Sequence, residues 1–287
     1  MELIAAVPTP FTASGQLDLA GARHVFGFAA SAGASLLVAG TTGEFPALDD
    51  DERLALFEVA LSIAGPDRTI THVGAADTRH ATALAAAALA RGATRLAVIS
   101  PYYLPARIDE VAAHFTAVHT VAGNAQLYAY LFPERTGVTV SPADLGQLAP
   151  QAGLAGVKLS GSSATQLKEY ILAAPPGFAV YTGDDSQVVE AASMAAAGVV
   201  SGVSSAFPVQ FAALVAHVRP AGPSDLAEPA SAPLAATVSA AVRLAGPSIG
   251  RLKYALSLRG LAGPQARMTV DPPDAAVRAA IARLVSQ

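Results

Sequence analysis

The chain has no cysteine and no tryptophan, and only three of its 287 residues are lysine. Without cysteine there are no disulfides, no thiolate metal ligands and no cysteine nucleophile. Without tryptophan, nothing suggests an aromatic platform for stacking a carbohydrate. Charged residues make up 14% against 52% hydrophobic, so much of the chain must be buried in a core or against another subunit. There is no run of Lys or Arg, and the formal net charge is -4. Together these argue against nucleic acid or an anionic membrane surface as a partner. The six histidines (24, 72, 80, 114, 119, 217) lack metal-ligand spacing, and Asp184-Asp185 has no third ligand at a useful distance along the chain. No metal and no cofactor are expected.

A basic leader is missing too. MELIAAVPTPF has an early acid and two prolines where a signal peptide carries basic residues and then an apolar core, so it reads as a first strand of a cytoplasmic protein. Residues 25–43 and 191–216 are uncharged and long enough to span a bilayer on length alone. Gly, Ser, Thr and Pro break both, and each reads as helix, turn and buried strand in succession, so no membrane partner is expected.

What the chain does have is a repeat. Short apolar runs alternate with Ala-rich amphipathic segments, the pattern of βα units and a parallel sheet. Candidate strands fall at Ile4–Val7, Leu36–Ala39, Thr69–Val73, Leu96–Ile99, Gln126–Tyr130, Ala155–Leu159, Ala179–Thr182 and Val199–Val203. Leu19–Ala32, Asp50–Ala64, Arg79–Arg91 and Ile108–Val121 are among the helical segments between them. Eight such units fit an α/β fold of the (β/α)8 type, a TIM barrel, whose usual length is ~250 residues. A doubly wound open sheet is the alternative, but no GxGxxG follows the first strand. After Val203 the pattern changes. The Pro-rich stretch Arg219–Pro233 reads as an ordered loop before a helical segment, Leu234–Leu244, with helices continuing to Gln287. The expected organisation is a barrel with the active site over residues 1–215 and a small C-terminal helical extension over 216–287.

Barrel chemistry gathers at the C-terminal ends of the strands. Those ends here carry Gly40-Thr41-Thr42-Gly43-Glu44, Ser100-Pro101-Tyr102-Tyr103, Tyr128-Ala129-Tyr130, Val157-Lys158-Leu159, Thr182-Gly183-Asp184-Asp185 and Ser201-Gly202. Lys158 interrupts a strand of apolar residues, where an unpaired ammonium is costly to bury. Lys168, in QLKEY, reads as a surface residue, and Lys253 as a lysine that snorkels from a C-terminal helix. Two readings of Lys158 stay open: an ion pair with Asp184 or Asp185, or a nucleophile. A free lysine has a pKa of ~10.4, and an apolar interior can lower it by up to ~3–5 units. The neutral amine then attacks a ketone, and the iminium serves as an electron sink for making or breaking a carbon–carbon bond.

Strand parity puts Tyr128 and Tyr130 on one face, opposite Ala129 and Leu131. A phenol beside the iminium can shuttle protons; the bland alternative is a packed core tyrosine. The Thr-Thr-Gly-Glu turn offers hydroxyls and N–H groups suited to a carboxylate, or is an ordinary βα turn with Glu44 near the next helix. Arg135 suits a substrate carboxylate by bidentate contact, or a loop salt bridge.

At this point the chain resembles the dihydrodipicolinate synthase/N-acetylneuraminate lyase family of pyruvate-dependent class I aldolases. The resemblance runs from VPTPF at Val7–Phe11 through GTTGE at Gly40–Glu44, PYY at Pro101–Tyr103, YxxPxRTG at Tyr130–Gly137, GVK ending at Lys158 and GDD at Gly183–Asp185. It implies that Lys158 forms the Schiff base, that Tyr130 handles proton transfer and that Thr41 relays protons. It further implies that Thr42 joins Thr41 in holding the pyruvate carboxylate, and that Gly183 and Val200 complete the substrate-binding set. Tyr103 matches a tyrosine supplied by an adjacent subunit, so a homodimer or homotetramer is implied. Arg135 matches the arginine that binds the aldehyde's carboxylate in the synthases. The implied partners are a small 2-oxo acid and an aldehyde, as in 4-hydroxy-tetrahydrodipicolinate synthase, with a 2-keto-3-deoxy sugar acid aldolase or a non-catalytic 2-oxo-acid binding protein as alternatives. Leu131 stands where the family usually has Asn, Leu159 where an acid is frequent, and Gly74-Ala75-Ala76 replaces Gly-Thr-Gly. Parity points Leu131 and Leu159 away from Tyr130 and Lys158.

Overall fold

Eight short apolar runs form eight parallel strands that pair in chain order and close into a barrel. In the computed structural model, which describes residues 1–218, 231–246 and 248–286, these are β1 (Glu2–Ala6), β2 (Ser35–Val38), β3 (Thr69–His72), β4 (Arg95–Ile99), β5 (Gln126–Leu131), β6 (Gly156–Leu159), β7 (Ala179–Thr182) and β8 (Gly198–Ser201). β8 returns to β1 with Leu3 opposite Val199 and Ile4 opposite Val200. The outer layer holds α1 (Leu19–Ser31), α2 (Asp50–Ala64), α3 (Thr78–Leu89), α4 (Ile108–Ala122), α5 (Pro133–Thr136), α6 (Pro142–Gln151), α7 (Leu167–Ala173), α8 (Val188–Ser193) and α9 (Pro208–His217). The C-terminal extension adds α10 (Ser231–Ala245), α11 (Ile249–Leu258) and α12 (Ala275–Val285). Short polar side chains start several of these helices. Asp18, Asp49, Asp77 and Ser141 each accept a hydrogen bond from a first-turn N–H, which satisfies donors that the helix itself leaves unpaired.

The two-residue alternation of each strand builds two cores. Outward residues, Leu131 and Leu159 among them, pack under the helices. Inward residues such as Ile4, Leu37, Ile70, Tyr128, Tyr181 and Val200 fill the barrel. Tyr130 lies opposite Lys158, and Lys158 opposite Tyr181. The two leucines that depart from the family pattern therefore face the helical layer, as parity expects.

Strand ends differ from expectation for local reasons. β2 stops at Val38 because Ala39 turns to a positive φ of 51°, and β8 stops at Ser201 because Val203–Ser205 coils into a 3-10 turn. β1 starts two residues earlier than read, at a glutamate tied into the barrel floor. Of the Pro-rich stretch expected as a loop, residues 219–230 lie outside the described residues, while Ser231–Pro233 belong to α10. None of the described helices is long and apolar enough to cross a membrane.

The floor, at the N-terminal end of the barrel, is a closed polar network. Arg95 grips both oxygens of Glu2 at 2.8 and 3.0 Å, while Ser35 and Tyr181 donate to the same carboxylate at 2.7 and 2.8 Å. Tyr128 donates to Gln126 at 2.9 Å. Burial alone would push the Glu2 carboxyl up, but the hydrogen bonds from Arg95 and Ser35 outweigh it and hold the group below the usual carboxylate range. Burial and the Glu2 charge in turn push the Tyr181 phenol up, so it stays a neutral donor.

Candidate active site

The opposite end is organised around Lys158. Its half-buried side chain runs along the inner wall, with Nζ 4.1 Å from the centre of the Tyr130 ring. Tyr130 is itself 1% exposed, and its hydroxyl shares a 3.1 Å hydrogen bond with Thr41 Oγ1. Among the described residues no carboxylate reaches salt-bridge distance of Lys158. The expected alternative, an ion pair with Asp184 or Asp185, is not formed.

Lys158, Tyr130, Thr41, Thr42, Arg135, Gly183 and Val200 line one cavity of about 420 Å³. A second cavity of about 560 Å³ shares Thr41 and Arg135 with it and runs outward past Phe45, Tyr102 and Arg251. Seven of the eight expected site residues thus converge. Gly183 has a steric reason to be glycine, since a Cβ there would sit 2.5 Å from Ser160 Oγ and 2.9 Å from Lys158 Cε. Tyr103 is the one not brought in. It is 90% exposed, with a positive φ of 81°, and turns outward beside Leu104, itself 70% exposed.

The turn carrying Thr41 and Thr42 is tightly built. Ala39 and Glu44, on either side, both adopt left-handed backbone (φ 51° and 57°), a conformation that costs a non-glycine residue roughly 1–3 kcal/mol. Gly43 lets the chain close, because a Cβ there would meet Ala39 Cα at 3.0 Å, and Thr9 donates to the Gly43 carbonyl at 2.7 Å. Lys253 corrects an expectation. Glu44 is fully buried and caps the short 3-10 turn Phe45–Ala47; Lys253 does not snorkel but is 2% exposed and ion-paired to Glu44. α11 lies across the rim, so its lysine points inward to the turn. Burial pulls the Lys253 ammonium below the usual lysine range, against the hydrogen bond and charge of Glu44. The other Glu44 oxygen accepts the N–H groups of Arg267 and Met268 at 2.9 and 2.8 Å.

Beneath the turn lies a buried histidine. His72 Nδ1 is 2.9 Å from the Ala39 carbonyl, and because a carbonyl only accepts, that nitrogen carries the proton. Burial and then the charge of Arg53 hold His72 well below the usual imidazole range, so it is neutral at pH 7. Arg53 donates to the carbonyls of His72 and Gly74; burial brings its guanidinium down to about 10. Across the cavity Asp185 is half-buried as a residue, but its Oδ1 is enclosed and has no partner among the described residues. Burial pushes its carboxyl up to about 6, against a hydrogen bond from Ser201 and the charge of Lys158. Among the described residues no three His, Asp or Glu side chains cluster in a way that could hold a metal.

Sequence reasoning missed Arg53, His72 and the Glu44–Lys253 pair as parts of this rim. His72 could have been found: it ends a strand, and parity sets it inward. The Glu44–Lys253 contact joins residues 209 apart and has no local signal.

Comparison with known proteins adds independent findings. The sequence profile of the Dihydrodipicolinate synthetase family matches residues 1–287. A 4-hydroxy-tetrahydrodipicolinate synthase from Synechococcus sp. (strain CC9311) is 35% identical over 201 residues, covering 69% of this chain and 67% of that protein. Among solved structures, a prophage protein of the dihydrodipicolinic acid synthase family from E. coli K12, in complex with pyruvate, matches with a TM-score of 0.87 at 26% identity, covering 99% of this chain and 97% of its own. A monomeric dihydrodipicolinate synthase variant matches with a TM-score of 0.88 at 25% identity, covering 99% of this chain and 95% of its own.

Proposed function

This chain belongs to the Dihydrodipicolinate synthetase family, and from that premise we propose that it condenses pyruvate, held on Lys158 as a Schiff base, with an aldehyde, as a 4-hydroxy-tetrahydrodipicolinate synthase does. The observation that carries this reading is a pair of contacts at one cavity: the Lys158 amine against the Tyr130 ring, and the Tyr130 hydroxyl bonded to Thr41.

In this mechanism the Lys158 amine adds to C2 of pyruvate, and the carbinolamine loses water to give an iminium. The iminium draws electrons from C3, a methyl proton leaves, and the enamine carbon adds to the aldehyde carbonyl, whose oxygen takes up a proton. Each step moves a proton to or from a group beside Tyr130. The phenol and the Thr41 hydroxyl form a two-member relay for these transfers. Thr42, with Thr41, offers the pyruvate carboxylate its donors, Val200 gives the methyl group an apolar wall, and Gly183 leaves Lys158 room to turn. Arg135, exposed at the junction of the two cavities, receives an acidic group on the aldehyde.

Tyr103 enters from a neighbouring copy. Its exposure beside Leu104 supports a homodimer or homotetramer. We further propose that the enzyme is cytoplasmic, with a barrel over 1–215 and an extension over 216–287. Pyruvate in deuterated water tests the reaction: the wild type exchanges its methyl protons and Lys158→Ala does not. A wild type that binds pyruvate without exchange is instead a binding protein. Faster cleavage of a 2-keto-3-deoxy sugar acid than condensation with aspartate semialdehyde would reassign the substrate.

A further inference from the structure

Three segments distant in sequence meet at one buried cluster of charge behind the catalytic turn. Glu44 ends the Thr41–Thr42 turn; Lys253 projects from α11; Phe11 belongs to VPTPF, a motif with no role in the reaction. Lys253 donates to Glu44 and, at 2.7 Å, to the carbonyl of Gln265, and its ammonium stands 4.4 Å from the centre of the Phe11 ring. On the other face of the cluster the Arg267 guanidinium lies 4.5 Å from the same ring and grips both oxygens of Glu52 at 2.5 and 2.6 Å. Arg267 also donates to the carbonyls of Gly15 and Ala47 at 2.8 and 3.0 Å. Through Glu52, in the first turn of α2, and Ala47, the cluster holds the chain beyond the turn as well.

This arrangement has a direct mechanical consequence. Glu44 sits in left-handed backbone, and its own N–H bonds back to the Thr41 carbonyl at 3.0 Å. A turn closed on itself in this conformation needs an anchor to persist, and Glu44 supplies it by committing both carboxylate oxygens to the C-terminal extension. The atom 3.1 Å from the Tyr130 hydroxyl, Thr41 Oγ1, stands on that same turn.

We propose that Glu44 and Lys253 are positioning residues for the reaction, and that the C-terminal extension thereby holds Thr41 on Tyr130 and keeps the proton relay assembled. The proposal rests on the Schiff-base reading and assigns the extension a task in catalysis beyond covering the barrel. Neither side chain touches substrate; both act through Thr41.

A double-mutant cycle tests it. Turnover per active site is measured for wild type, Lys253→Met, Thr41→Val and the double variant. Active sites are counted by the mass gained with pyruvate and borohydride after incubation long enough for the adduct to reach its plateau, so that slower Schiff-base formation does not lower the count. Lys253→Met is expected to lower turnover per active site by about 10², the contribution of a general acid–base group. In the Thr41→Val background, where the relay is already broken, the same change is expected to cost less than about threefold. Lys253→Arg, which keeps the charge, restores most of the loss. Equal losses in both backgrounds overturn the proposal, as does a loss confined to the number of active sites, which is what a purely structural role predicts. If Lys253→Met does not fold, Glu44→Gln goes through the same cycle: a loss that shrinks in the Thr41→Val background supports the proposal, and equal losses overturn it. A wild type that gains no mass takes down the Schiff-base reading and this proposal together.

Discussion

Tyrosines face inward at both ends of the barrel, in different company. At the N-terminal end the hydroxyls of Tyr181 and Tyr128 donate to Glu2 and Gln126, and Arg95 neutralises the half-buried acid. At the C-terminal end Tyr130 shares its hydroxyl with Thr41, Lys158 lies over its ring without a carboxylate partner among the described residues, and His72 Nε2 and Asp185 Oδ1 are buried unpaired. Two inward positions along β5 thus separate a network that is nearly satisfied from one that is not. Polar groups left unpaired in a core cost free energy, and a fold retains them where they serve chemistry. On the proposed function, the floor stabilises and the rim reacts.

Mutations at the two ends can break or sharpen this contrast. The largest effect is expected at Tyr130: Tyr130→Phe lowers kcat by about 10²–10⁴, the range for a lost general acid–base group, and leaves the thermal midpoint nearly unchanged. A steady-state assay beside a melting curve reads both, and a lower midpoint with kcat intact would erase the distinction. Arg95→Ala should do the reverse. It leaves half-buried Glu2 with only Ser35 and Tyr181 and costs about 1–3 kcal/mol of stability, while turnover per folded molecule holds.

Asp185 gives a smaller effect that depends on pH. Its carboxyl moves from 3.8 in the open chain to about 6 in the fold, so folding favours the protonated form. The charge costs nothing below 3.8, costs progressively more as the pH rises towards 6, and carries its full penalty above that, about 3 kcal/mol at most. Asp185→Asn should therefore raise the thermal midpoint at about pH 8 and leave it unchanged at about pH 3.5. A gain at both values would show that the carboxyl is not titrating as its burial demands.

Much of the rim was legible because strand parity and the C-terminal end of each strand are local properties. Tyr130 and Lys158 fall on one face by counting in twos, and the same count turns Leu131 and Leu159 to the helical layer. The residues read wrongly have distant causes. Lys253 looks like any helical lysine until α11 is laid across the turn of Glu44, and no pattern near either residue announces the pair. Asp184 and Asp185 read as two equivalent acids and both line the cavity, yet tertiary packing encloses Asp185 Oδ1 while Asp184 accepts from Ser186. Ala39 extends the strand pattern by one residue, and its positive φ follows from the turn that closes behind it. Tyr103 is 90% exposed and lies outside the Lys158 cavity, so the role proposed for it would need a second chain.

The most direct test of the account is where pyruvate becomes attached. After incubation with pyruvate and reduction with borohydride, the wild type should gain the mass of one reduced adduct, located by peptide mapping on Lys158, and Lys158→Ala should gain nothing. An unmodified wild type, or an adduct on Lys168 or Lys253, would contradict it.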